Sequence, residues 1–384
     1  MSLTSKERLL TALNLEEPDR VPFVPTFIGP WVNRYWKSRH EQMVDILRLG
    51  LDQFLNLGAP SRFHPDVKTK LSKRMEPGEK NPTLLKVYET PAGALRQVVL
   101  QTEDWPHGND IPVFSDFVVA GGRSKEYLIK CSEDVEKFRY LLQEPSQEQI
   151  AEFHRRAEEV KALAKKYGLL VNGVGGYGGT YLLSICGVHN FSRWLIRKPL
   201  LIKGLLSIVH EWDLMRVRLL LKEGVDMVTR DGWYETPLFW SVKRFKEMIE
   251  PLIREEIDLV HQAGAKFRYI MSIGLMQVAK ILSEMDIDAI FGVDPVVERR
   301  SPQEVRSHLG PDICLWGGIS EAVTVQQGTA EEIRETVIDT IRAFAPGGGY
   351  ILSTIGSIFT REAWEKKVPI LIETWRRFGR YPMK

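Results

Sequence analysis

From about residue 146 to the end, one pattern recurs in this chain: a helical segment, a glycine, a short apolar run, then a turn. Ser146 and Gln149 have the spacing of a capping box, and Ile150, Phe153, Ala157, Val160 and Leu163 recur at helical intervals. Gly168 ends that helix, and Leu169–Val171 reads as a short buried strand. The cycle returns with a helix over 200–223, Gly224, and a strand at Met227–Thr229. A third round runs from Val242 through Ile249 and Ile257 on one helix face to Gly264 and the strand Phe267–Met271. Further strands are expected at Ala289–Gly292, Ile313–Trp316 and Tyr350–Leu352, with Thr329 and Glu332 capping the helix before the last. Strands alternating with helices of this length imply βαβ crossovers and a parallel sheet.

Adding Val21–Val24 makes seven candidate strands, and one more is expected within 146–384. That count points to an α/β fold, a TIM (β/α)8 barrel formed as a single domain over 1–384. A doubly wound open sheet is the alternative. No Gly-rich dinucleotide fingerprint follows the first strand, and the run Gly173–Gly179 is not G-x-G-x-x-G opening a helix, so it reads as a flexible rim loop. Residues 33–145 break the pattern: Thr83–Tyr88 and Ala94–Gln101 form a hairpin across Thr90–Gly93, the mark of an insertion.

Charge and cysteine content exclude several functions. Fifty-two Lys and Arg against 50 Asp and Glu leave a net charge of +2 without long blocks of either sign. Neither nucleic acid nor a membrane surface has an electrostatic footprint here. Cys131, Cys186 and Cys314 lie far apart, in keeping with reduced thiols. The polar start Met1–Glu7 and the lack of any uncharged apolar run of ~18 residues make a cytoplasmic protein the expectation.

Several segments are similar to a known family. Ser5-Lys6-Glu7-Arg8 through Glu17-Pro18-Asp19-Arg20-Val21-Pro22 resembles the opening of uroporphyrinogen decarboxylase-like proteins, as does Lys130–Lys137. The likeness continues through Gly224-Val225-Asp226, Asp231-Gly232-Trp233, Leu309–Asp312 with Trp316-Gly317-Gly318, Gly328–Ile333 and Gly347–Thr354. It implies a TIM barrel and either decarboxylation or corrinoid-linked methyl transfer. The decarboxylases carry an arginine-rich segment after the first strand; Thr26–Arg34 here holds one arginine. Their late histidine aligns with Gly356, and Asp116 weakly echoes their pyrrole-binding aspartate. The thiol-methylating branch places zinc on positions that here are Met271, Ile273 and Gly356, none a normal zinc ligand.

The ether-cleaving, O-demethylating methyltransferases resemble this chain best. Their metal motif is Glu, fourteen residues, Glu, twenty residues, His; Glu235 and Glu250 match it, and Met271 occupies the histidine position. The resemblance therefore implies metal ligation by Glu235 and Glu250. A thioether is a poor zinc ligand, so zinc is expected to be weak or absent. If close and metal-free, the two glutamates could share a proton and supply an acid.

Position along the strands supplies the remaining candidates. Asp231 directly follows a strand at the carboxyl end, where barrel active sites assemble; it also reads as a turn or capping residue. Glu235 is a loop acid, and Glu250 with Arg254 makes an ordinary helical i,i+4 pair apart from the family spacing. Trp31, Tyr177, Trp233, Tyr234 and Trp316 follow or end strands and would line an aromatic pocket, or merely pack the rim. Thr26, Asn172, Met271 and Asp294 share that placement. No histidine ends a strand, which leaves Asp231, Glu235, Glu250 and Tyr234 as acid–base candidates.

Together these readings give an expectation: a methyl group moves from a small aromatic ether to the cobalt of a corrinoid-binding partner protein, with self-association as a homodimer. The alternatives are decarboxylation of a small carboxylic acid clamped by Arg34 or Arg230, and a barrel that binds a ligand without chemistry.

Overall fold

A computed structural model describes residues 3–27, 30–114 and 122–383. Asp116 lies outside the described residues. Seven parallel strands form one curled sheet: β1 (Phe54–Gly58), β6 (Leu170–Val174), β7 (Met227–Asp231), β8 (Lys266–Ile270), β9 (Ala289–Val293), β10 (Cys314–Ser320) and β11 (Tyr350–Ile355). The strand order follows the chain without a reversal, so the doubly wound alternative, which needs a switch point, is set aside. Residues 22–24 lie alongside the β11 edge: the Val24 amide donates to the Leu352 carbonyl at 3.0 Å, and the Leu352 amide to the Pro22 carbonyl at 2.8 Å. On the other side the Asp52 amide, just before β1, donates to the Phe23 carbonyl at 2.8 Å.

The strand expected within 146–384 is instead β1, inside the stretch assigned to an insertion. Phe54-Leu55-Asn56-Leu57-Gly58 has neither strong alternation nor a helix leading into it, so it escapes periodicity. What stands apart from the parallel sheet is narrower than 33–145. It is an antiparallel sheet of β2 (Lys68–Arg74), β3 (Thr83–Thr90), β4 (Gly93–Leu100) and β5 (Ser124–Glu126). The hairpin read from sequence is β3–β4, with the Thr90 hydroxyl donating to the Gly93 carbonyl at 2.7 Å.

Two apolar layers hold the parallel sheet. Its outer face packs on the surrounding helices, including 147–167, 199–222 and 250–262, through residues such as Val228, Phe267 and Tyr269. Its inner face holds Leu170, Met227, Ala289, Cys314 and Ile351, closed at the amino end by Leu9, Ala12 and Leu13 of the N-terminal helix Ser5–Leu13. That helix starts on a capping box, Thr4 with Glu7. It is anchored by buried Arg8, which pairs with Asp19 and Asp52, each at 2.6 Å. No described helix is long and apolar enough to cross a membrane.

Candidate active site

Inward positions on four adjacent strands carry a connected polar chain. Asn172 Nδ2 donates to Asn56 Oδ1 at 2.8 Å, the Thr229 hydroxyl donates to Asn172 Oδ1 at 2.7 Å, and Arg268 Nε donates to Thr229 Oγ1 at 2.9 Å. Sheet register creates this row, since Asn56 pairs with Asn172 and Thr229 with Arg268 on parallel neighbours. In-register residues of adjacent strands project to one face. The chain ends by fixing the Arg268 side chain.

Arg268 opens into a cavity of about 230 Å³ at the carboxyl ends of the strands, walled by Thr26, Phe54, Trp233, Phe291 and Trp316, with Gly356 and Ser357 at the rim. Its guanidinium carbon lies 4.9 Å from the ring centre of Phe54, 5.7 Å from Phe291 and 4.5 Å from Trp316. Those π-faces offset part of the cost of burying the charge. Burial nevertheless pushes its pKa down to about 9, which leaves it cationic at neutral pH. The volume equals about eight waters at ~30 Å³ each, the scale of a one-ring ligand. Larger grooves lie elsewhere, as between Tyr35, Trp364 and Ile372, but on the outer helical layer away from the strand ends.

Asp231 adjoins two residues of the cavity wall, Trp233 and Ile270. Its Oδ2 accepts from the Tyr181 hydroxyl at 3.0 Å and its Oδ1 from the Trp233 amide at 3.4 Å, and it pairs in register with cavity-lining Ile270. Burial raises its carboxyl to about 6, outweighing the two hydrogen bonds that favour the anion. This side chain therefore holds or releases a proton near neutrality.

The neighbouring residue, Arg230, faces the opposite way. Fully buried behind β7, it pairs with Glu235 at 2.6 Å and with Glu256. Glu235 also accepts from Gly179 N at 2.6 Å and from the Tyr269 hydroxyl at 3.0 Å. Glu235 does lie in the loop after β7, but as the buried counter-ion of an arginine rather than an exposed acid, and Arg230 is no substrate clamp. The proposed clamp Arg34 is exposed on the helix 30–35. Glu250 has a different partner: its Oε1 pairs with Arg254 at 2.8 Å, while its Oε2 is buried without a hydrogen-bond partner. Among the described residues no three His, Cys, Asp or Glu side chains gather into a set fit for a metal ion.

The glycine run has a structural cause here. A Cβ on Gly178 would collide with Arg230 Nη2 and Glu235 Oε1, and Gly178 has φ of +51°. On Gly176 it would sit 2.7 Å from Glu256 Oε2. The segment is buried and tied down, with the Tyr177 and Gly178 amides donating to Asp213 Oδ2 at 2.8 and 2.9 Å. The flexible-loop reading is corrected accordingly.

The other candidates scatter. Thr26, Trp233 and Trp316 line the cavity, and Asn172 belongs to the polar chain beneath it. Met271 is fully buried in the outer core, because it follows Ile270 and so faces away from the mouth. Tyr177 packs with Phe114, Tyr181 and Trp212, beside Asp231 rather than in the cavity. Trp31 donates to the Ile358 carbonyl at 3.2 Å and packs on Phe27 and Trp36. Tyr234 takes part through its backbone, accepting from Trp240 Nε1 at 3.1 Å. Asp294 caps the helix 295–298 through the Val296 and Val297 amides.

Sequence reasoning missed Phe54, Asn56, Arg268 and Phe291. One signal was present for Arg268: a cation inside the otherwise apolar run Phe267–Met271, which belongs inside only where something receives it.

Comparison with known proteins adds the family. The chain superposes over 98% of its length on 99% of a methyltransferase from Methanosarcina mazei, with a TM-score of 0.59 at 17% identity, a likeness of fold. A B12-independent methionine synthase from a Shewanella species matches 59% of this chain and 66% of its own at a TM-score of 0.43 and 15% identity. A 3-keto-D-glucoside 4-epimerase from E. coli matches 63% and 93% at 0.40 and 14%. No curated protein sequence matches significantly. The sequence profile of the uroporphyrinogen decarboxylase (URO-D) family matches residues 121–378, two thirds of the chain, and the protein belongs to that family.

Proposed function

We propose that this protein transfers a methyl group from a small aromatic ether to a corrinoid carried by a partner protein. The observation that carries the reading is the cavity itself: one-ring in size, walled by Phe54, Trp233, Phe291 and Trp316, with Asp231 hydrogen-bonded to the backbone of the wall residue Trp233. Residues 22–27 act as the eighth stave, completing a barrel whose mouth presents the bound donor. Breaking the methyl–oxygen bond leaves the electron pair on oxygen, and that oxygen needs a proton to leave. Asp231, protonated below about 6, supplies it, and the demethylated product departs as a phenol. Zinc does not fit: both Glu235 oxygens are held by Arg230, Glu250 Oε1 is held by Arg254, and the thioether Met271 faces the outer core.

The test is to incubate the protein with reduced corrinoid and a panel of methoxylated aromatics. Corrinoid methylation, read from its absorption spectrum and lost in Asp231→Asn, supports the reading. Carbon dioxide release without methylation favours the second reading, decarboxylation of a small acid, which gains support from the unpaired cation Arg268 in the cavity. Ligand-induced stabilisation without turnover would leave a binding barrel.

A further inference from the structure

Buried arginines are ordinarily paired, because an isolated charge in a low-dielectric interior is costly. Arg230 obeys this rule with two glutamates. Arg268 does not, although it is only 6% exposed. Its Nε donates to Thr229, and among the described residues neither terminal nitrogen has an acceptor and no carboxylate pairs with it. A guanidinium carries five N–H groups, so four remain for whatever enters the cavity. The aromatic rings around it interact with its charge but accept none of those in-plane hydrogen bonds. Trp316, 1% exposed, lends the cavity its ring rather than a donor.

The free terminal nitrogens of Arg268 call for an acceptor, and the fork of a guanidinium matches the two oxygens of a carboxylate. The remaining walls, Phe54, Trp233 and Phe291, form an edge-to-face array suited to a flat ring; Phe54 and Phe291 lie 5.8 and 6.1 Å from Trp316. One cation selects one negative charge, a carboxylate rather than a phosphate dianion. We propose that the cavity binds a one-ring aromatic monocarboxylate, its carboxylate held by the terminal nitrogens of Arg268 and its ring between Phe54, Phe291 and Trp233. Thr229 and Asn172 are positioning residues that aim the arginine. The methyl-transfer reading bears only on the ring substituent, which would make the donor a methoxylated benzoate.

The test measures binding by calorimetry on the full chain at pH 7.5, without corrinoid, so failure of methyl transfer and failure of this site are told apart. The probes are benzoate, 3-methoxybenzoate, uncharged benzamide and inorganic phosphate. The acids are expected to bind one per chain, at least about tenfold more tightly than benzamide. Arg268→Met should remove the preference, and Arg268→Lys, which keeps charge but not the fork, should weaken the acids while remaining folded by circular dichroism. Equal affinity for benzamide and benzoate overturns the proposal. So does competition by phosphate at equal concentration, no acid binding at millimolar concentration, or full acid affinity in Arg268→Lys.

Discussion

Arg230 and Arg268 sit on neighbouring strands one register step apart, and that step sends them to opposite faces of the sheet. Thr229, not Arg230, is the in-register partner of Arg268. Behind the sheet Arg230 meets Glu235 and Glu256; in front, Arg268 meets three aromatic rings and an open cavity. One arginine is a structural ion, and the other faces the ligand space.

If Arg230 is structural, Glu235→Ala leaves a buried cation short of a partner. Removing one member of a buried pair typically destabilises by about 3–5 kcal/mol. Urea unfolding should show a loss of that order. A near-native midpoint combined with lost bound metal would restore Glu235 to a metal site.

Glu250→Ala should behave as the removal of a partly exposed helical pair. A change of no more than about 0.5 kcal/mol is expected, with corrinoid methylation and metal content unaltered. Loss of activity in a fully stable variant would contradict the separation of Glu250 from the cavity.

Asp231→Asn should slow methyl transfer about 10²- to 10⁴-fold, the usual contribution of a positioned acid. The sign of the pH dependence follows from its raised pKa. The protonated form predominates below about 6, so the rate should fall as pH rises through that value. Because the folded value exceeds the unfolded one, the group's stabilising contribution is complete below the unfolded pKa and is lost as pH rises through about 6. Rate and thermal midpoint measured from pH 5 to 8 check both, and the asparagine variant should flatten both curves over that range.

Gly178→Ala should destabilise by more than ~1 kcal/mol, because it adds left-handed strain to a clash with buried ions. Chemical denaturation measures this directly. Wild-type stability would show that the segment can move away from Arg230.

Thr229→Val breaks the polar chain at its centre, leaving Asn172 Oδ1 and Arg268 Nε without a partner. The expected cost is about 1–3 kcal/mol, with weakened benzoate affinity. Thr229→Ser should restore affinity, which a purely packing role for the threonine methyl would not allow.

The repeating helices and strands from residue 146 onward were legible because burial of alternating elements leaves a periodic trace in apolar residues. Leu170–Val174, Met227–Asp231 and Lys266–Ile270 all lie where that trace places them. The strand Phe54–Gly58 was not legible, since it joins the sheet through partners more than a hundred residues away. Asp231 and Trp233 could be placed near the mouth from strand ends alone. Met271 and Glu235 could not, because facing is set by single-residue register and by how the loop turns back.

By itself, the sequence determined the layered α/β organisation, the β3–β4 hairpin, and the absence of any clustered charge. Those properties depend on near neighbours in the chain, where periodicity and turn chemistry act. Only the tertiary structure decided which arginine is neutralised, why Gly176 and Gly178 lack side chains, and which rings surround Arg268. Parallel strands buried on both faces read as continuous apolar runs, so nothing local marks inside from outside. That distinction arises when β7 and β8 pair in register and the helices close over one face alone.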